Sequence, residues 1–209
     1  DNNIIVSTRE IFLGVHIIDG EDAGVDATTS EQFLKNLRIL ESISSQPIVI
    51  HQYSIGGEWD AGMMMYDAMR LSPCQFIFIC HGCAASMGSI IPQAVHGHGI
   101  RVTTPYCNWL IHEGSQGMSG TIKQFRSFSE FSKLALRQMY DIYTEVCHGT
   151  GNHFKKMSKA KVKNYLIKKL DSTEDWWMPS QDALKFGFVD GIIGTPGFES
   201  IEAMKSNLV

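Results

Sequence analysis

Apolar residues are arranged along the chain in short continuous runs that alternate with longer stretches of helical spacing. The runs PIVIHQY at 47–53 and QFIFIC at 75–80 are typical of buried strands. The stretches TTSEQFLKNLRILESI at 28–43 and GGEWDAGMMMYDAMRLS at 56–72 carry apolar residues on one face of a helix. This alternation predicts an α/β fold in which parallel strands are joined by right-handed crossovers. Functional residues are then expected at the carboxyl ends of the strands.

The rest of the chain continues the same alternation. Residues 84–95, AASMGSIIPQAV, have the pattern of a helix. A long helix is predicted from about Thr121 to His148, with the glycines of GTG at 149–151 as its C-cap. The segment KKMSKAKVKNYLIKK at 155–169 contains seven lysines, which favours a solvated helix face over a docking patch. Further short strands are predicted at NIIV (3–6), EIFLG (10–14), HIID (16–19), RVTTP (101–105) and NWLIH (108–112).

Composition limits the classes of function that are open to the chain. Its 209 residues, 44% of them hydrophobic, are enough for one sizeable core, so a single domain over 1–209 is expected. A formal net charge of −4 gives no basic field for nucleic acid or an anionic membrane. The apolar runs are shorter than the roughly 20 residues that span a bilayer. Since no secretory-type signal opens the chain, we expect a cytoplasmic protein.

The cysteines do not predict a disulfide framework. There are five, an odd number, and all lie between residues 74 and 147. Cys80 and Cys83 form one C-x-x-C pair, which could be half of a zinc site or a redox pair. Because no second ligand pair has matching spacing, packing of small residues is the preferred interpretation. No metal and no cofactor are expected.

Three chemically suggestive features follow separate predicted strands. Gly56 and Gly57 come after one strand, Ser86 after the next, and His112 closes NWLIH. These strand ends lie together in a parallel sheet. A nucleophilic serine needs a base, an acid that orients the base, and donors for the oxyanion. Asp175 is a candidate for the acid, although a serine at such a joint is often only a helix cap.

Four motifs in this order resemble the ClpP family, the proteolytic subunit of the ATP-dependent Clp protease. They are SIGGEWDAGMMMYDAM at 54–69, GCAASMG at 82–88, WLIHEG at 109–114 and EDWWMPSQDALKFGFVDGII at 174–193. The resemblance extends from about Arg9 to Ile193. It implies a single domain built as a ClpP/crotonase-like spiral of strand-turn-helix units, with a long-helix handle at about 113–150.

The resemblance also implies a role for individual residues. Ser86 would be the nucleophile, His112 the general base and acid, and Asp175 the residue that orients His112. The backbone N–H groups of Gly57 and Met87 would form the oxyanion hole. The implied activity is that of a serine endopeptidase which cleaves unfolded polypeptides inside a chamber. Heptameric rings, stacked as a double ring, and an AAA+ unfoldase would be its partners.

The chain departs from the family pattern at several positions. Ile55 takes the place of a proline before the paired glycines, and Glu113 and Gly114 take the place of a Gln-Pro pair, which changes the expected subsites. Glu174 stands where the family has an arginine that helps to join the rings. The pore-lining hairpin and first helix of the family have little counterpart before Arg9.

Two other functions compete with an active peptidase. One is a catalytically silent ClpP-like subunit that assembles with, or regulates, an active paralogue. The other is an acyl-CoA enzyme of the crotonase type, which also uses paired backbone amides as an oxyanion hole. A complete set of serine, histidine and aspartate in the right order disfavours both.

Overall fold

The computed structural model describes residues 3–14, 17–18, 21–22 and 24–208. The strands are β1 (Ile4–Ile5), β2 (Glu10–Leu13), β3 (Ile17–Ile18), β4 (Glu21–Asp22), β5 (Ile48–Ser54), β6 (Phe76–Ala85), β7 (Gly99–Thr103), β8 (Asn108–Ile111), β9 (Trp176–Pro179) and β10 (Gly191–Ile192). The α-helices are α1 (Ala27–Ile43), α2 (Trp59–Arg70), α3 (Met87–Ile90), α4 (Ile122–Thr150), α5 (Lys159–Thr173), α6 (Ser180–Phe186) and α7 (Ile201–Ser206). Short 3₁₀ helices cover Ile91–Val95 and Asn152–Phe154.

A mixed sheet forms the centre of the fold. Its strand order is β1-β2-β5-β6-β7-β10, and β2 to β10 along this path run parallel. Only β1 on this path is antiparallel to its neighbour. The predicted α/β fold class with parallel crossovers is therefore confirmed.

Strand β6 is longer than the apolar run QFIFIC predicts and has two sets of partners. Residues 76–80 pair with β5 and β7. Residues 83–85 pair with β8 in place of β7, while Ala84 still pairs with Ser54 of β5. Gly82, between the two parts, has a φ of +61°, a conformation that glycine adopts without a steric penalty. Beyond this bend, β6 keeps β5 as one neighbour and exchanges β7 for β8, which brings Ser86 beside β8.

Helices cover both faces of the sheet. Most of the core lies on the face where α1 and α2 pack, with Phe33 and Met65 among its buried residues. On the opposite face, Met204 of α7 is fully buried against a smaller cluster that includes Val49 and Ile77. Helix α7 was not predicted, because six residues are too few to show helical periodicity.

The helix predicted over 84–95 is wrong in length. Residues 84 and 85 belong to β6, α3 covers only Met87–Ile90, and the chain continues as a 3₁₀ helix. Pro92 explains the change, since it has no N–H to donate to the carbonyl four residues earlier.

The long helix was predicted closely. Thr121 is its N-cap and accepts a hydrogen bond from the N–H of Gln124 in a capping box. Gly151 is the C-cap, but with a φ of −68° instead of the left-handed conformation. A side chain is excluded there because a Cβ would lie 2.5 Å from the carbonyl oxygen of Phe186.

The lysine-rich segment forms α5, a helix with one buried face. Val162, Leu166 and Leu170 are buried, while Lys159 and Lys163 pair with acidic side chains of α4. The solvated lysine face was therefore predicted correctly. In the described part of the chain, no helix combines the length and the apolar character needed to cross a membrane.

Of the predicted strand HIID, only Ile17 and Ile18 are described, as β3 paired with β4. His16 and Asp19 lie outside the described residues.

Candidate active site

Ser86 occupies the joint between β6 and α3 in a strained backbone conformation. Its φ of 54° and ψ of −125° are unfavourable for a residue with a Cβ. Hydrogen bonds on both sides hold it there: its N–H donates to the carbonyl of Leu110 at 3.0 Å, and its carbonyl accepts from the Ser89 N–H at 2.9 Å and hydroxyl at 2.7 Å. A structure that fixes a serine in such a conformation favours a functional role over simple packing.

Two glycines after β5 allow close approach to this turn. A Cβ on Gly56 would lie 2.5 Å from the Cβ of Ser86, so only glycine fits. Gly57 has a φ of 149°, and a Cβ there would lie 2.2 Å from the carbonyl oxygen of Val25. Val25 fixes the loop by donating to Gly56 O at 2.8 Å and accepting from the Glu58 N–H at 2.7 Å. The backbone of this loop is thus held against the serine.

His112 and Asp175 meet because β8 and β9 are paired. The antiparallel register places Ile111 opposite Trp176, so the residues beyond that pair emerge at the same end. The Nδ1 of His112 lies 3.2 Å from Oδ1 of Asp175. The aspartate side chain is 54% exposed and the histidine side chain 22% exposed. A carboxylate in this position fixes which imidazole nitrogen carries the proton.

The other nitrogen of His112 faces inward. Its Nε2 is buried and has no hydrogen-bond partner among the described residues, so the bond to the Ser86 hydroxyl is not formed. Both side chains nevertheless line one cleft of about 760 Å³. Catalytic hydrogen bonds are often long before substrate binds. The arrangement leaves an imidazole nitrogen ready to accept a proton within the cleft that contains the serine.

The cleft combines an apolar floor with an acidic rim. Gly57 and Met87, to which the resemblance assigns the oxyanion hole, line the cleft together with Ser86. The floor includes Phe131 and Met139 of α4. Its charged lining residues, within the described part of the chain, are three acids and no lysine or arginine: Glu58, Asp60 and Glu113.

Glu113, an exposed residue that lines the cleft, has a defined hydrogen-bond partner on α4. The hydroxyl of Tyr140 donates to its Oε1 at 2.6 Å. The Tyr140 side chain is buried, and burial raises the pKa of its hydroxyl, which the hydrogen bond to Glu113 raises further. Sequence reasoning noted Glu113 only as a departure from a motif and missed Tyr140, which no pattern in the sequence marks.

The C-x-x-C pair lies in an environment that disfavours the thiolate form. Burial raises the pKa of Cys80 well above its ordinary value and also raises the pKa of Cys83, so both are thiols at neutral pH. A thiolate is the form that binds zinc or attacks a substrate. No group of three or more potential ligands is arranged for a metal in the described ranges.

Comparison with known proteins identifies the family. The model of the Clp protease family matches residues 3–196. The chain belongs to the Clp protease family. This confirms the resemblance that the four motifs carry.

Its relatives are proteolytic subunits of the ATP-dependent Clp protease. Subunit 2 of Corynebacterium glutamicum is 29% identical over 190 residues, which cover 90% of this chain and 83% of that protein. Subunit 1 of Mycobacterium tuberculosis is 28% identical, with 90% and 84% covered. The subunit of Porphyromonas gingivalis is 30% identical, with 90% and 75% covered. The chain is therefore similar along most of its length to Clp proteolytic subunits, at a level that marks it as divergent.

Proposed function

We propose that this chain is an active serine endopeptidase subunit that cleaves unfolded polypeptides. The observation that supports this proposal is the geometry of one cleft. It contains a serine held in a strained turn and an imidazole whose Nδ1 is hydrogen-bonded to a carboxylate, and the imidazole Nε2 has no hydrogen-bond partner within the described ranges. The names of the relatives, all proteolytic subunits, support the same activity.

The proposed reaction uses each group in one role. The Ser86 hydroxyl attacks the peptide carbonyl carbon while His112 Nε2 takes its proton, and Asp175 stabilises the imidazolium. The N–H groups of Gly57 and Met87 bind the oxyanion. Collapse of the tetrahedral intermediate breaks the C–N bond, and His112 gives the proton to the leaving amine. Water then hydrolyses the acyl group from Ser86 by the same steps.

The substrate would lie extended along the segment EGSQGMSG at 113–120. Residues 113–117 line the cleft and lie outside any described helix or strand. No backbone–backbone hydrogen bond links them to other described residues, so their backbone groups can pair with an added strand. Such pairing accepts almost any sequence but only an unfolded chain. The apolar floor provides a surface for the hydrocarbon part of substrate side chains near the scissile bond.

Assembly would enclose this cleft. We propose heptameric rings that stack through the handle, with an AAA+ unfoldase supplying unfolded chains from folded proteins. The first half of α4 exposes large apolar side chains outside the cleft, which supports a contact surface: Ile122, Phe125 and Leu134. Glu174 lies exposed at the end of α5 and gives no arginine-mediated contact, so the double ring is expected to be rearranged or salt-sensitive.

A catalytically silent subunit is the second candidate. The observation in its favour is that the Ser86–His112 hydrogen bond is not formed. In that case the chain would assemble with an active paralogue and hydrolyse nothing by itself.

Turnover of short fluorogenic peptides separates the two candidates. The active peptidase should cleave them without ATP, and Ser86→Ala should lower kcat by several orders of magnitude. Ser42→Ala, an exposed hydroxyl on α1, is the matched control and should keep full activity. A Ser86→Ala variant that retained a tenth of the turnover would refute the proposed nucleophile. An inactive wild type that assembles normally would favour the silent subunit.

A further inference from the structure

Glu113, the acidic residue that follows His112 in the chain, takes no part in the proposed catalysis, on which the present inference rests. We propose that Glu113 is a specificity residue that selects polypeptides with lysine or arginine close to the scissile bond. The preferred substrate is therefore an unfolded polypeptide segment that contains lysine or arginine.

Position is the first support. Glu113 directly follows His112, whose Nδ1 is bonded to Asp175, and it is the first residue of the cleft-lining segment 113–117. A substrate strand that pairs with this segment and presents a carbonyl to Ser86 must pass Glu113 within a residue or two of the bond that breaks. Any charge on Glu113 therefore acts on the side chains nearest to the reaction.

Orientation is the second support. The Tyr140 hydroxyl holds Oε1 of Glu113 at 2.6 Å, and the tyrosine itself is 5% exposed and so is fixed by packing. A neutral phenol can donate this bond, and its raised pKa keeps it neutral. Among the described residues, Glu113 forms no ion pair, and no hydrogen bond is found to Oε2. The carboxylate is thus oriented by one oxygen and open to a ligand through the other.

The surrounding charge is the third support. Glu58 and Asp60 line the same cleft, and no lysine or arginine lines it within the described part of the chain. The field in the cleft therefore favours a cationic side chain over an anionic one. The apolar floor suits the long hydrocarbon stem of lysine or arginine, which packs on apolar surface while its charged end reaches a polar group. Phe131, Leu136 and Met139 provide that surface.

The test uses donor–quencher peptides that are identical except at one position within two residues of the cleaved bond. That position holds lysine, glutamine or glutamate in turn, and kcat/KM is measured for each. We expect lysine to be favoured over glutamine by about fivefold, the upper range for an exposed ion pair, and glutamate to be disfavoured by a similar factor. Both factors should shrink as salt is added.

Glu113→Gln removes the charge while keeping an oxygen that can accept from Tyr140. The lysine-to-glutamine ratio should fall to about one in this variant, and Glu113→Lys should invert it. Tyr140→Phe should lower the ratio partially, since the carboxylate loses its orientation. Glu202→Gln, an exposed acid on α7, is the control and should leave the ratio unchanged.

A ratio that is the same in wild type and Glu113→Gln would overturn the proposal, as would equal cleavage of the lysine and glutamate peptides. If no peptide is cleaved at all, the proposed function fails, and the inference is tested separately by binding. Fluorescence anisotropy of labelled lysine and glutamate peptides with the Ser86→Ala protein should then still show the preference. Equal affinity for both peptides would refute it.

Discussion

The ion pair between Arg101 and Asp190 makes a sharp prediction about stability. Arg101 lies on β7 with its side chain fully buried, and it forms an ion pair with Asp190, which directly precedes β10. Asp190 Oδ2 accepts from the main-chain N–H of Arg101 at 2.8 Å and from Nε at 3.1 Å, and Oδ1 accepts from Nη2 at 2.5 Å. Asp190→Asn removes the charge and turns one of the two acceptor atoms into a donor.

The loss of stability in this variant depends on the hydrogen bonds that Arg101 would keep. Gln93 Oε1 at 2.6 Å, Gly187 O at 3.2 Å and Thr150 Oγ1 at 3.2 Å would still accept hydrogen bonds, but none of them carries charge. Breaking a buried pair on one side typically costs about 3–5 kcal/mol. Because the remaining acceptors solvate part of the guanidinium, we expect a loss of about 3 kcal/mol in the free energy of unfolding. For a chain of this size, that corresponds to a fall in Tm of about 6–12 °C.

Urea unfolding followed by tryptophan fluorescence measures this loss, with wild type and variant compared in the same oligomeric state. Asp141→Asn is the matched control, because its pair with Lys163 at 2.6 Å lies at the surface. It should change the free energy of unfolding by no more than about 1 kcal/mol. A loss below 1 kcal/mol for Asp190→Asn would show that the pair is not a structural link between β7 and the C-terminal segment.

Three further changes test the site and the fold. Asp175→Asn should keep the structure but lower kcat by a factor of about 10⁴ if the carboxylate fixes the imidazole tautomer. Near-normal turnover would show that another residue orients His112, and Asp171 would be the first to test. Gly57→Ala should lower peptide turnover at least a hundredfold. The new Cβ would lie 2.2 Å from the Val25 carbonyl oxygen, so the backbone would shift and displace the Gly57 N–H from the proposed oxyanion hole. An unchanged kcat would exclude this N–H as an oxyanion donor. Burial and the neighbouring His51 lower the pKa of His81 in the folded protein. As the pH drops below about 6.5, His81 therefore binds a proton more readily in the unfolded chain than in the folded protein, and the free energy of unfolding should fall. The fall, measured by urea unfolding, should be smaller in His81→Gln, and an equal fall in both proteins would assign it to other groups.

The sequence predicted the parts of the fold that depend on local pattern. Alternating apolar runs and helical stretches were enough for β5, β6, α1, α2 and α4, because each buries a regular face. The end of β6 was missed, since its last residues are small and pair with β8 instead of continuing the apolar run. Helix α3 is shorter than the apolar pattern predicts, because Pro92 interrupts the α-helical hydrogen bonding within that pattern.

The site was predicted only in part for a similar reason. Residue types and order pointed to Ser86, His112 and Asp175, and the β8–β9 register brings the last two together. No sequence pattern could show that Nε2 of His112 has no hydrogen-bond partner in the described part of the chain, because that depends on side-chain rotation. The hydrogen bond between Glu113 and Tyr140 joins residues 27 positions apart and likewise appears only in the folded chain.

We propose that Ser86 is an activated nucleophile, and covalent labelling of its hydroxyl tests this proposal most directly. The purified protein is treated with a fluorophosphonate probe, digested, and mapped by mass spectrometry. We expect one labelled site, at Ser86. Labelling should be abolished in Ser86→Ala and strongly slowed in His112→Ala. Absence of labelling in a folded, assembled protein, or labelling that survives Ser86→Ala, would contradict it.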